Sequence, residues 1–297
     1  MNKRFVKKLI PKPIKTNLKK TISKYVQPAT KITKYDINIK DVNRMKNKCV
    51  MITGGTGAIG SAICYRLVAE GATVGICGRN SDKIQKTIDK INDMNIPDKG
   101  NLIPIVLDVN DEKNIENAID SFVERTGKLD AFINNAGGGA RQNSKDIHNQ
   151  SIDIIDEVLN TNLRGSILCA RKAAQLMINN NSGKIINMAS VIGMCGKAKM
   201  SDYAASKAGI IGFTRSLAIE LGKYNITVNC ISPGMVNQIP FDRGNDVKFT
   251  NKNCLSRFGY TDEVANLAAF LISDEANYIT GQNFVIDGGR CLGLYGD

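Results

Sequence analysis

The sequence predicts a doubly wound α/β domain with a parallel sheet, on three observations. Short apolar runs alternate with stretches of helical period from Lys48 onward in the 297-residue chain. The runs are almost continuously apolar, as expected of strands buried on both faces. A glycine-rich turn closes the first of them. This alternation joins parallel strands through crossover helices and places helices on both faces of the sheet.

The elements follow in order. Cys49 to Thr53 reads as a buried strand, and 58–70 as a helix closed by Gly71. Ala72 to Cys77 is a second strand, followed by a helix over 81–94. Leu102 to Leu107 is a third strand and 111–125 a helix. Leu129 to Ile133 is a fourth strand. One long helix is expected over 154–179, then a strand from Gly183 to Met188. A helix over 202–222, a strand from Ile226 to Ile231, a helix near 262–272 and a strand near 283–286 complete the body. No internal repeat and no second core is visible, so residues 47–297 are expected to form a single domain.

Residues 1–46 differ in composition and are read as a flexible basic extension. Ile14, Leu18 and Ile22 recur every four residues there, the period of a short basic amphipathic helix. Such a segment allows weak contact with a membrane surface or a polyanion. Lysines interrupt its apolar runs, and Pro11 and Pro13 follow at once, so no secretion signal is expected. No run approaches the roughly 20 apolar residues that span a bilayer. A cytoplasmic location is the resulting expectation.

The net charge of +12 is a property of that extension. Residues 1–48 hold 15 Lys/Arg against 2 Asp/Glu, whereas the remainder holds 25 against 26. A near-neutral body offers no basic groove, so nucleic acid is not an expected partner. The single histidine, His148, argues against an imidazole zinc site and against a Ser-His-Asp triad, and no metal is expected. Eight cysteines without a C-x-x-C pair read as small apolar fillers in a reducing compartment.

Gly55, Gly57 and Gly60 satisfy G-x-G-x-x-G between strand and helix, as in a Rossmann-type dinucleotide site. Small residues let the backbone approach a pyrophosphate, and the helix N-terminus supplies free N–H groups. The second strand ends in Gly78-Arg79-Asn80, where an NAD enzyme usually offers a carboxylate to the ribose. A guanidinium suits a 2′-phosphate, which favours NADP(H), with NAD(H) as the alternative. Asp108 is placed to accept from the adenine amino group, and Asn134-Asn135-Ala136-Gly137 would line the same crevice.

Tyr203 and Lys207 stand four residues apart on one helix face. A nearby ammonium favours a phenolate and brings proton exchange toward neutral pH. Ser190, thirteen residues earlier at a strand end, could polarise a carbonyl. The Tyr/Lys spacing alone is common among surface residues; its weight comes from the other motifs in order.

Taken together the motifs resemble those of the short-chain dehydrogenase/reductase family, and most closely its 3-oxoacyl-acyl-carrier-protein reductases. They are Thr53-Gly54 to Gly60, Asp108-Val109, Asn134 to Gly137, Asn162 to Gly165, Ser190, Tyr203/Lys207, Pro233-Gly234 and Asp287-Gly288-Gly289. The resemblance covers about 46–290. It implies that Tyr203 is the general acid/base, that Lys207 lowers its pKa and holds the nicotinamide ribose, that Ser190 orients the substrate oxygen, and that Asn162 anchors a water of the proton relay. It further implies that Thr53, Gly54, Gly55, Thr56, Ala58, Ile59, Gly60, Arg79, Asn80, Asp108, Val109, Asn135, Ala136 and Gly137 contact the dinucleotide. Tyr203, Lys207, Pro233, Gly234 and Val236 would contact it as well. The implied reaction interconverts a carbonyl and a secondary alcohol with NADP(H). The implied assembly is a homotetramer or dimer paired through the helices near 154–179 and 202–222.

Three departures from the family pattern stand out. Ala58 replaces the middle glycine of the turn, with a strain cost if that position needs φ > 0. Gln238 replaces a threonine expected to contact the carboxamide. Asn181 and Tyr224 stand where carrier-docking arginines are expected, although Lys184 and Lys223 are near. The substrate thus stays open between an acyl-carrier thioester, a sugar or polyol, and a small ketone. A non-catalytic dinucleotide-binding protein is the alternative outside enzymes. The region 235–258, with Phe241, Arg243, Asp246, Lys248 and Phe249, is expected to form a lid. Arg141, Lys197 and Lys199 read as solvated charges that could favour an anionic substrate.

Overall fold

The first apolar run forms strand β1 (Cys49–Ile52), buried along its whole length. Its residues alternate between the two faces of the sheet, as strand geometry requires. Val50 and Ile52 enter one core cluster, and Cys49 and Met51 the other. A computed structural model describes residues 44–94, 96, 99–138, 143–238 and 250–292. The amphipathic pattern of the extension, Arg141 and the lid residues Phe241, Arg243, Asp246, Lys248 and Phe249 lie outside these described residues.

Helix α1 (Ala58–Ala69) follows β1, and Gly71 at φ +94° turns the chain into β2 (Thr73–Gly78). Helix α2 (Ser81–Asn92) starts at Asn80, whose side chain accepts from the Lys83 amide at 2.8 Å. After β3 (Asn101–Val106), Asp111 caps α3 (Glu112–Thr126) through the Asn114 amide at 3.0 Å. Each such cap satisfies an N–H group that has no intrahelical partner, contributing about 1 kcal/mol. Strand β4 (Ala131–Asn134) is again fully buried.

The helix expected over 154–179 is interrupted. It consists of α4 (Ile152–Leu159), a π segment (Asn160–Arg164) and α5 (Gly165–Asn179). Single π turns inside helices often mark functional positions, and this one carries Asn162. Then come β5 (Gly183–Met188), the short α6 (Ile192–Cys195), α7 (Ser201–Leu221), β6 (Ile226–Pro233), α8 (Thr261–Ile272) and β7 (Asn283–Ile286). Hydropathy does not reveal α6, because four residues are too few to display a helical period.

The seven strands pair in the order β3-β2-β1-β4-β5-β6-β7, all parallel. One core layer packs α1, α2 and α8 on the sheet through residues such as Ile63, Ile88 and Ala268. The opposite layer packs α3, α5 and α7 through Ile119, Cys169 and Leu217. Consecutive strands run outward in opposite directions from β1, so the order reverses between β1 and β4. Ligands of open α/β sheets bind outside the carboxyl ends of the strands at such a switch point.

Three sequence readings need adjustment. The packed body reaches back to Arg44 and Met45: Met45 is fully buried, and its N–H bonds Glu70 O at 3.1 Å. Fully buried Glu70 is neutralised by Arg44 and Arg66 together. Cys195 and Cys254 are exposed and Cys291 is only half-buried, so three of the eight cysteines do not fill the core. Finally, Ala58 opens α1 in an ordinary helical conformation and is absent from the positive-φ positions, so no strain arises there. Among the described residues, no helix is long and apolar enough to cross a membrane.

Candidate active site

The carboxyl ends of β1 and β4 are tied together by side chains. Thr53 Oγ1 accepts from the amides of Asn135 and Ala136, each at 3.0 Å. Asn135 Nδ2 donates to the carbonyls of Thr53 at 3.1 Å and Gly54 at 3.0 Å. The turn after β1 is thus clamped from the next strand, and its backbone shape is fixed from both sides.

Within that turn the glycines do different work. Gly54 has φ +63°, and a β-carbon there would lie 2.9 Å from Ala136 Cα. A β-carbon on Gly55 would lie 2.8 Å from Ile76 Cγ2. On Gly60 it would strike the Gly54 carbonyl oxygen and come within 2.8 Å of Asn135 Nδ2. Gly57 has room: only Gly54 O lies near, at 3.4 Å. The required glycines are therefore 54, 55 and 60, not the 55, 57 and 60 of the sequence pattern.

No side chain caps the N-terminus of α1, and no acidic residue occupies its first turn. Amides there, beside Thr56, Ala58 and Ile59, are open to an anion. A glycine turn packed too tightly for β-carbons, leading into an uncapped helix start, fits a dinucleotide pyrophosphate. Arg79 is exposed just beyond β2. Asn80 spends its side-chain oxygen on the α2 cap. Asp108 accepts from the Asn110 amide at 3.0 Å and donates its own amide to Asn114 Oδ1 at 2.7 Å. The neighbouring Val109 packs against Gly165, where a β-carbon would lie 2.8 Å from Val109 O.

The four residues expected at the reaction centre lie on three parts of the chain: Asn162 in the π segment, Ser190 after β5, and Tyr203 with Lys207 on α7. Lys207 on α7 is buried, and its Nζ donates to Met188 O at 2.7 Å. That ammonium lies 5.7 Å from the centre of the Tyr203 ring. Burial lowers the Lys207 pKa to about 8. Ser190, beyond β5, accepts at Oγ from the Ile192 amide at 3.2 Å. Asn162 is fully buried. Its Oδ1 accepts from the Gly138 amide at 3.0 Å, and its Nδ2 donates to Ser206 Oγ at 3.3 Å. A β-carbon on Gly137 would lie 2.8 Å from Asn162 Oδ1 and 3.4 Å from Lys207 Nζ. The loop after β4, the π segment and α7 therefore meet at one point.

Two partners escaped sequence reasoning. Ser206, which also donates to Tyr203 O at 2.8 Å, had only its place beside Lys207 as a signal. Met188 acts through its backbone carbonyl, which leaves no side-chain signal.

On the far side, β6 and β7 close the crevice. Gly234 packs so tightly on Asp287 that a β-carbon would lie 2.6 Å from Asp287 Cβ. Val236, buried, bridges to Gly259, and Pro233 is buried at the end of β6. Gln238 turns its amide back onto Val236 O at 3.1 Å. Arg257 grips Glu263 with two bonds, of 2.9 and 2.6 Å, at the foot of the expected lid. His148, Lys197 and Lys199 are exposed. Lys184 is buried with its Nζ 2.7 Å from Asn277 Oδ1, which removes it as a docking group for an acidic carrier.

The chain matches the family described as enoyl-(acyl carrier protein) reductase across residues 55–290. It is 34% identical over 258 residues to levodione reductase of Leifsonia aquatica, covering 83% of this chain and 95% of that protein. It is 35% identical over 257 residues to the 3-oxoacyl-acyl-carrier-protein reductase of Thermotoga maritima, covering 84% of this chain and 100% of the other. A crystal structure of a 3-oxoacyl-acyl-carrier-protein reductase with bound NAD from Brucella melitensis superposes with a TM-score of 0.76 at 33% identity. That superposition covers 89% of this chain and 97% of the other.

Proposed function

Because the chain belongs to the short-chain dehydrogenase/reductase family, and is thus an NAD(P)-dependent oxidoreductase acting on CH–OH groups, we propose that it interconverts a carbonyl and a secondary alcohol with NADP(H) at the switch point between β1 and β4. The observation that carries this reading is the meeting of Asn162 and Lys207 at the loop after β4, with Tyr203 beside Lys207 and Ser190 just ahead of α6, next to a turn whose packing admits only glycine at 54, 55 and 60. The nicotinamide, when bound, supplies or accepts the hydride.

The residues of the chain hold the proton and the geometry. Gly54, Gly55, Thr56, Ala58, Ile59 and Gly60 would hold the pyrophosphate on the α1 N-terminus. Asp108, Val109, Asn135, Ala136 and Gly137 would line the adenosine side, and Pro233, Gly234 and Val236 the nicotinamide side. Tyr203 Oη gives a proton to the carbonyl oxygen in reduction and takes it back in oxidation. Ser190 Oγ donates to the same oxygen and orients it. Lys207, held by Met188 O, places a positive charge beside the phenol and favours its ionised form. Asn162 spends both ends of its amide on Gly138 and Ser206. Its contribution is accordingly to fix the loop after β4 against α7, with the π turn bringing its backbone to the relay.

Preference for the 2′-phosphate rests on exposed Arg79 and on the lack of a carboxylate at 78–80. Arg79→Glu should raise KM for NADPH at least about tenfold, the effect of losing one charge-assisted contact, while leaving KM for NADH within about twofold. Steady-state kinetics with both cofactors decides; equal changes for the two would remove the assignment.

We also propose a homo-oligomer, tetramer or dimer, paired through α4/α5 and α7. Ile152, Ile167 and Ile219 are exposed there at 68%, 37% and 84%. Each of the three helices thus leaves a large apolar side chain uncovered, which pairing with a second copy would bury. Sedimentation velocity at micromolar concentration should give a single oligomer; a monomer would exclude it.

A further inference from the structure

Five cysteines are buried in the core, and the remaining three gather at one edge of the crevice. Cys195 Sγ and Cys291 Sγ lie 3.1 Å apart, although 96 residues separate them. Cys254 Sγ lies 3.4 Å from Gly289 O, two residues from Cys291. The segment carrying Cys291 is fixed by Asp287, whose carboxylate accepts from the amides of Gly289 at 2.8 Å and Cys291 at 2.7 Å. The segment carrying Cys195 is α6, tied to β7 by Asn283 Nδ2 and Met194 Sδ at 3.2 Å. Both backbones are thus held in place, and a disulfide of about 2.05 Å needs only about 1 Å of further approach between the sulfurs.

We propose that Cys195 and Cys291 form a reversible dithiol–disulfide pair, oxidised by a small-molecule disulfide such as oxidised glutathione. Cys195 is exposed and receives the reagent. Its thiolate attacks one sulfur of the oxidant; a Cys195–glutathione bond forms, the glutathione S–S bond breaks, and one glutathione thiolate leaves. Cys291 then releases its proton to solvent, and its sulfur displaces the second glutathione thiolate from Cys195 Sγ. Two protein thiols lose two electrons and two protons, and one glutathione disulfide becomes two glutathiones. Burial, with Cys195 and Asp287 as neighbours, pushes the Cys291 thiol up to about 12. This assigns it the resolving role and makes its step the slower one.

The position gives the pair its consequence. Helix α6 begins two residues after Ser190, and Cys291 follows Asp287, which backs Gly234. The disulfide covalently joins the two walls of the crevice. Its formation does not depend on the reaction proposed above.

The full-length reduced protein is incubated with oxidised glutathione, then analysed by intact mass and non-reducing peptide mapping. Wild type should lose two hydrogen masses, yield a peptide joining Cys195 to Cys291, and recover its original mass with dithiothreitol. Cys291→Ser should stop at one glutathione on Cys195, Cys195→Ser should form no cross-link, and Cys254→Ser should behave as wild type. Stable glutathione adducts on both cysteines of the wild type, a cross-link through Cys254, or a bond between two chains would overturn the pair.

Discussion

Tyr203→Phe is expected to lower kcat for carbonyl reduction about a thousandfold while leaving NADPH affinity within about threefold. The substitution removes one oxygen from a half-exposed side chain, so packing is kept. General acid–base groups contribute typically 10²- to 10⁴-fold, and the loss should fall in that range. NADPH absorbance against a panel of 3-oxoacyl thioesters, ketosugars and small ketones provides the assay. A variant retaining full activity on a responding substrate would sink the mechanism. Wild-type kcat/KM for reduction should also fall as pH rises through about 8. Burial lowers the Lys207 pKa to that value in the free enzyme; below it the ammonium is charged, and above it the charge beside the phenol is lost. Because kcat/KM reports free-enzyme ionisations, the fall should appear there.

Gly60→Val is expected to abolish dinucleotide binding, with affinity lower by at least about a hundredfold, and to destabilise the fold by about 1–3 kcal/mol as overpacking does. Every neighbour that a β-carbon would meet is fixed. Gly54 O and Gly55 Cα belong to the clamped turn, and Asn135 Nδ2 makes the two bonds of the clamp. The turn must therefore open, and with it the cradle. Gly57→Ala provides the contrast: its φ of −76° suits any residue and its nearest neighbour is at 3.4 Å, so binding should stay within about threefold. Fluorescence titration with NADPH and thermal melts separate the two. Wild-type affinity in the Gly60 variant would refute the cradle.

These two experiments bear on features of unequal legibility. The buried strands were legible because residues covered on both faces must be apolar throughout. Tyr203 and Lys207 were legible as a pair because a helix brings residues four apart onto one face. The glycine turn was legible as a turn, but G-x-G-x-x-G selected Gly57, which nothing crowds. Which glycine is required depends on what packs against it, and Ile76 comes from β2 while Asn135 and Ala136 come from the loop after β4. The break at Asn160–Arg164 was hidden for a different reason. A π turn shifts the register of hydrogen bonds without disturbing the apolar period enough to be seen.

The cysteines mark the same boundary. Composition assigns all eight to the interior, and for Cys49, Cys64, Cys77, Cys169 and Cys230 that holds. Cys195 and Cys291 lie after β5 and β7, strands separated in the sheet only by β6, and no sequence period connects them.

By itself the sequence determined the alternating α/β order, the near-neutral body behind a basic extension, and a set of candidate residues for holding a dinucleotide and moving a proton. Those properties are local: periodicity, composition and short spacings express them within a few turns of chain. Only the tertiary structure decided that β1 and β4 are neighbours, that Asn135 clamps the turn, that Lys207 is buried on Met188 O, and that Lys184 is hidden from a partner. The physical reason is that each of these is a contact across strands or layers. A contact of that kind is selected by packing of the whole sheet, and no window along the chain contains both of its ends.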